Sequence, residues 1–83
     1  MKILYFAWLR NSIGTAEETL NLPEGVTSLH GLINWQKQRG EAFAKAFANM
    51  DSIRIAVNQD YVTDDIPLTG DEEVAFFPPV TGG

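Results

Sequence analysis

Thr27-Ser28-Leu29-His30-Gly31-Leu32-Ile33-Asn34-Trp35-Gln36 is the stretch on which the fold turns. Leu29, Leu32, Ile33 and Gln36 recur at i, i+3, i+4 and i+7, the spacing of one helical face, and Thr27 or Ser28 stands where an N-cap belongs. His30 falls off that stripe, so a solvated histidine with no assigned role is expected. Lys37 and Arg39 follow where cations suit the helix dipole, and Gly40 sits where a left-handed C-cap would close the helix. A second helical segment, 41–48, places Phe43 and Phe47 on one face.

On both sides of this helical region the period changes to two. Residues 2–9 read as a strand with Ile3, Tyr5 and Ala7 on one face and Leu4, Phe6 and Trp8 on the other. Asn11-Ser12-Ile13-Gly14 is a turn signal, and residues 17–22 read as a second, antiparallel strand broken by Pro23-Glu24-Gly25. After Asn49-Met50-Asp51-Ser52, residues 53–57 alternate cleanly, with Ile53, Ile55 and Val57 facing a core. Residues 61–63 read as a short edge strand, residues 64–71 as an acidic loop, and residues 73–77 as the last strand. The order β-β-α-β-(β)-β predicts an α+β domain, a mixed sheet with one main helix packed on one face. The β-grasp fold, of which ubiquitin is the familiar member, has this order.

Composition narrows the functions available. Eighty-three residues make one small domain, and 45% hydrophobic content is too apolar for a disordered chain. There is no cysteine, so disulfide and thiolate chemistry are excluded. One histidine cannot hold zinc unaided. The net charge is −5 and the six Lys and Arg are scattered, which argues against nucleic-acid binding. No apolar run approaches the ~20 residues of a membrane span, and the short apolar start lacks a signal-peptide pattern. A cytoplasmic location is therefore expected. Acidity suits a basic protein partner, or it only keeps a small domain soluble. Asp60, Asp64, Asp65, Asp71, Glu72 and Glu73 lack any metal-loop spacing and read as a solvated rim.

Two features remain. First, Leu4, Phe6, Trp8 and Phe77, joined by Tyr61, fall on the sheet face opposite the helix. Either residues 41–52 wrap round to cover them or they are a partner-binding surface, and the size of the aromatic cluster favours the surface. Second, the chain reads Pro78-Pro79-Val80-Thr81-Gly82-Gly83 after its last strand. Each proline fixes φ near −65° and keeps the preceding residue extended. A 1–77 domain with a 78–83 tail, flexible at Gly82 and Gly83, is expected. Gly-Gly carries no chemistry but its backbone, so the reactive group on that tail is the Gly83 carboxylate.

The run from Val74 to Gly83 closely resembles the C-terminus of the small, sulfur-carrier subunits of molybdopterin synthase, within the ubiquitin-like β-grasp sulfur carriers. Tyr5-Phe6-Ala7, Leu9-Arg10, Gly14, Val57-Asn58 and Pro67-Leu68 are similar to the same family, so the resemblance spans the chain. It departs at Thr69-Gly70-Asp71-Glu72, where the family usually has Asp-Gly-Asp. The resemblance implies that an ATP-dependent E1-like activating enzyme adenylates Gly83. A sulfur donor enzyme then converts the adenylate to a thiocarboxylate. The small subunit docks on a large subunit, in a heterotetramer of two large and two small subunits. Sulfur passes to a cyclic pyranopterin monophosphate in molybdenum cofactor biosynthesis. No bound cofactor, nucleic acid or membrane is implied, and this chain alone should not catalyse. Other readings share the tail: a sulfur carrier for thiazole synthesis or tRNA thiolation, a modifier forming isopeptide bonds to lysine, or an interaction module whose Gly-Gly is accidental.

Overall fold

The computed structural model describes residues 1–79. The expected tail residues Val80, Thr81, Gly82 and Gly83 lie outside them. Five strands form one mixed sheet: β1 (Lys2–Tyr5), β2 (Glu17–Thr19), β3 (Arg54–Val57), β4 (Asp60–Val62) and β5 (Glu73–Phe77), in the order β2-β1-β5-β3-β4. β1 runs antiparallel to β2 and parallel to β5, while β3 is antiparallel to both β5 and β4. Three helices, α1 (Trp8–Ile13), α2 (Leu29–Lys37) and α3 (Glu41–Ala46), complete the domain with a 3-10 turn at Met50–Ser52. This is the β-grasp arrangement, with β5 near the middle of the sheet.

Alternation in the strands builds the core. Ile3 and Tyr5, Ile55 and Val57, and Val74 and Phe76 face Leu29, Leu32 and Ile33 of α2, with Phe47 beneath. The rings of Phe47 and Phe76 meet edge to face at 5.0 Å, and those of Tyr5 and Phe76 stack at 6.0 Å. α2 begins where its cap predicts: Ser28 Oγ accepts from the Gly31 N–H at 3.2 Å. The 64–68 loop adds to the cap. Asp65 accepts from the His30 N–H at 2.8 Å, and the Ile66 carbonyl accepts from the Leu29 N–H at 2.9 Å. Gln36, on the apolar stripe, is fully buried and donates to Tyr5 Oη at 2.7 Å.

The structure corrects the sequence reading in four places. The first strand stops at Tyr5, not residue 9, because Ala7 turns the chain with φ 55° and ψ −130°. The Leu9 N–H donates back to the Phe6 carbonyl at 3.2 Å, which makes Ala7 the first central residue of a type II′ turn. Ala7 is therefore exposed, not in the core, and Trp8 opens α1 instead of continuing the sheet. The expected turn at 11–14 is the end of α1, closed by Gly14 in the left-handed conformation with its N–H on the Arg10 carbonyl at 2.8 Å. The second strand is shorter than 17–22. Gly40 does not cap α2, which ends on Gln38 in a right-handed conformation; Gly40 instead precedes α3 with φ 147°. Phe43 is half-buried and packs against the core, its ring covered on one side by the Arg39 guanidinium at 4.3 Å. Leu9, which the strand reading left out of the core, is completely buried.

Candidate functional site

The C-terminal strand leads the chain out of the sheet. β5 has neighbours on both sides, with Phe76 beside Tyr5 and Ile55 and Phe77 beside Arg54. Pro78 and Pro79 follow immediately and are half-buried. Neither can donate to a ladder, so strand pairing ends there for a chemical reason. The exit point of the tail is thus fixed to the most heavily paired strand.

The sheet face away from α2 is paved by small residues along its middle and aromatics around them. Leu4, Ala75, Ala56 and Tyr61 lie in one register row across β1, β5, β3 and β4. Ala56 is small enough that Tyr61 and Phe77, two strands apart, meet above β3 edge to face at 5.6 Å. Tyr61 is 73% exposed and Phe6, 47% exposed, keeps the open-face alternation of β1. Its N–H donates to the Phe76 carbonyl at 3.1 Å, which ties it to the exit strand. The structure therefore brings Leu4, Phe6, Tyr61 and Phe77 to one face and sets Trp8 apart on α1. Residues 41–46 do not cover this face: α3 packs on α1 and α2. Arg54 and Ala56 share this face as well, as their opposite parity to Ile53, Ile55 and Val57 makes readable from the sequence.

The acidic rim divides. Asp65 caps α2 and lies 3.6 Å from His30 Nδ1 through its other oxygen, so His30 has a partner that the sequence did not suggest. Glu72 accepts from the N–H groups of Thr69 and Gly70 at 2.7 and 2.8 Å. Desolvation works against it, but those bonds hold its carboxyl below the usual range. The turn that departs from the family pattern is thus closed by Glu72. Among the described residues no group of three or more His, Asp or Glu is placed to hold a metal ion. An open groove of about 600 Å³ between α2 and β3–β4 is lined by no residue of β5, though Arg54, the register partner of Phe77, borders it.

A protein-family model described as the ThiS family matches residues 3–83, including the Gly-Gly end. The chain belongs to the ThiS family. This ThiS-family chain is 36% identical over 83 residues to the molybdopterin synthase sulfur carrier subunit of Escherichia coli strain K12, taking in all of this chain and 99% of that one. Among solved structures, a Pyrococcus furiosus protein provisionally described as molybdopterin converting factor, subunit 1, superimposes with a TM-score of 0.67 at 31% identity over 95% of both chains. SAMP1 from Haloferax volcanii has the same fold, with a TM-score of 0.66 at 19% identity over all of this chain and 98% of that one. The family resemblance read from Val74–Gly83 is confirmed, and so is the β-grasp fold. No helix among the described residues is long and apolar enough to cross a membrane.

Proposed function

We propose that this chain is the sulfur-carrier subunit of a molybdopterin synthase. The observation that carries the reading is the full-length likeness to named sulfur carrier subunits, continuous through Gly83. A carboxylate is a poor acyl donor because oxide is a poor leaving group. Attack of the Gly83 carboxylate on ATP gives an acyl-adenylate and pyrophosphate. A sulfur nucleophile from a donor enzyme then displaces AMP and leaves a terminal thiocarboxylate, once any carrier bond to that sulfur is cleaved by reduction. Its soft, anionic sulfur attacks the pterin substrate, and hydrolysis of the acyl group returns Gly83 as a carboxylate. Gly82 and Gly83 add no Cβ to a narrow channel, and Thr81 and Val80 are stiff at χ1.

In this reading Leu4, Phe6, Tyr61 and Phe77 dock on the large subunit while residues 78–83 form an arm entering its active site. The arm spans about 20 Å when extended. The chain has no cysteine, and no catalytic acid–base pair is assigned to it. The partner therefore supplies cations for the substrate phosphate and any general acid or base. An E1-like enzyme activates the tail, and a two-plus-two heterotetramer is the expected assembly.

The test is the intact mass of the protein purified from its own cells. The expected result is a fraction heavier by the exchange of one oxygen for one sulfur, localised to the C-terminal peptide. A chain extended by one residue beyond Gly83 should be inactive in reconstituted synthesis yet fold normally. Dithiolene synthesis by the extended chain would refute the terminal-carboxylate mechanism, and adducts on lysines of other proteins would support the modifier reading instead.

A further inference from the structure

Among the described residues, strand alternation puts two cations on the open face: Lys2, which is paired with Glu17, and Arg54. Along β3 the burial alternates, and Arg54 is exposed on the side of Ala56, away from the core. It is the register partner of Phe77, the last residue before the prolines. It therefore shares the row of Phe77, one same-face row from Ala56 and Tyr61, at the end of the sheet where the chain leaves. Its guanidinium is not free to wander: Nη1 donates to the carbonyl oxygens of Ile53 and Asp51, both at 3.1 Å. The N–H groups of Nε and Nη2 remain available.

The charge pattern gives this arginine its meaning. The chain has eleven Asp and Glu against six Lys and Arg. Lys2, Arg39 and Lys45 are each paired with a glutamate. Among the described residues no carboxylate lies within ion-pair distance of Arg10, Lys37 or Arg54, and of these three it is Arg54 that stands beside Phe77. A partner closing over Phe6, Tyr61 and Phe77 also strips water from the neighbouring guanidinium. Unpaired, that desolvation opposes docking; met by a carboxylate in bidentate geometry, it becomes an orienting contact.

We infer that Arg54 is a specificity-determining residue of the docking face, and that the surface it fits is an apolar patch on a protein partner bearing an Asp or Glu opposite Arg54. Partners with a matching apolar patch but no acid there are rejected, because they leave the guanidinium buried and unsatisfied. This rests on the docking reading above and names the chemistry of its partner.

The experiment measures binding of the purified large subunit from the same organism, over a series of salt concentrations, to the wild-type chain and to Arg54→Glu, Arg54→Leu and Phe77→Asp. Thermal melting confirms that each variant is folded. Arg54→Glu should weaken binding by at least about tenfold. Arg54→Leu should weaken it less and flatten its salt dependence. Reversing one partner carboxylate to lysine should restore binding of Arg54→Glu. If Arg54→Glu binds within about twofold of wild type while Phe77→Asp fails, the arginine stays hydrated at the rim and the inference is overturned, with the docking reading intact. If Phe77→Asp binds normally, the docking reading itself falls.

Discussion

Arg39 grips Glu18 with both arms of its guanidinium, Nη2 to Oε1 at 2.7 Å and Nη1 to Oε2 at 2.8 Å. The pair links the end of α2 to β2, and it does not stand alone. Tyr5 Oη donates to Glu18 Oε2 at 2.6 Å, Gln36 Oε1 accepts from Arg39 at 2.8 Å, and the guanidinium lies over Trp35 and Phe43. Among the described residues no buried side-chain polar atom lacks a partner. Replacing Arg39 with Met leaves Glu18 and the Tyr5–Gln36 pair incompletely satisfied, so a loss of about 2 kcal/mol is expected, between the values for an exposed and a fully buried pair because this one is partly hydrated. Urea unfolding of the variant checks it.

The same network sets an acid limit. The Arg39 bonds hold the Glu18 carboxyl below its ordinary 4.5; burial opposes this and the Tyr5 bond assists. Glu72 is shifted in the same direction. A depressed folded-state value means that the stabilisation is fully present above about 4.5 and is lost as pH falls through the lower folded value. Unfolding free energy should therefore fall on acidification below that point. Glu18→Gln should be less stable at neutral pH and show a shallower acid limb. An acid limb identical to wild type would remove Glu18 from the account.

Ala7 and Gln59 occupy conformations that favour glycine, with φ 55° and 70°. Ala7→Gly should relieve strain at the end of β1 and stabilise the chain by about 1 kcal/mol, a rise of roughly 4–8 °C in melting temperature. Gln59→Gly, in the tight turn between β3 and β4, should act in the same direction. A fall in melting temperature for both would show that their side chains contribute more than the backbone strain costs.

Docking and folding should separate on the open face. Phe6→Asp and Tyr61→Asp place a charge in the proposed interface and should weaken large-subunit binding by several kcal/mol. Both side chains are exposed in the free chain, so the melting temperature should move little. Phe77 is half-buried and a less clean probe. Calorimetric binding and melting on the same samples decide it; a large loss of stability with unchanged binding would place the interface elsewhere.

Removing Pro78 and Pro79 shortens the proposed arm by about a third of its ~20 Å reach. Docking through the sheet face should survive while single-turnover sulfur transfer stops, because the terminal sulfur falls short of the partner's reacting centre. Transfer at a near wild-type rate would mean that the partner closes around the tail.

The sequence by itself determined the helix Leu29–Lys37, the alternation of residues 53–57, the last strand and the Gly-Gly end. Each is a local pattern with a strong period or a covalent identity, and the family resemblance followed from the last of them. Where the first strand stops was not legible. Residues 2–9 are apolar on both parities, so the period-two reading had no reason to end at Tyr5. The positive φ at Ala7 is a cost that a sequence does not display in a residue other than glycine. Tertiary packing decided it, because the turn drives Leu9 into the core and swings Trp8 onto a helix. Packing also decided what covers Phe43, since an arginine held by Glu18 across 21 positions in sequence is a contact no local pattern encodes. The meeting of Tyr61 and Phe77 over Ala56 is of the same kind. The sequence supplied the aromatics and the small residue, but only the register of three strands placed the two rings within reach of each other.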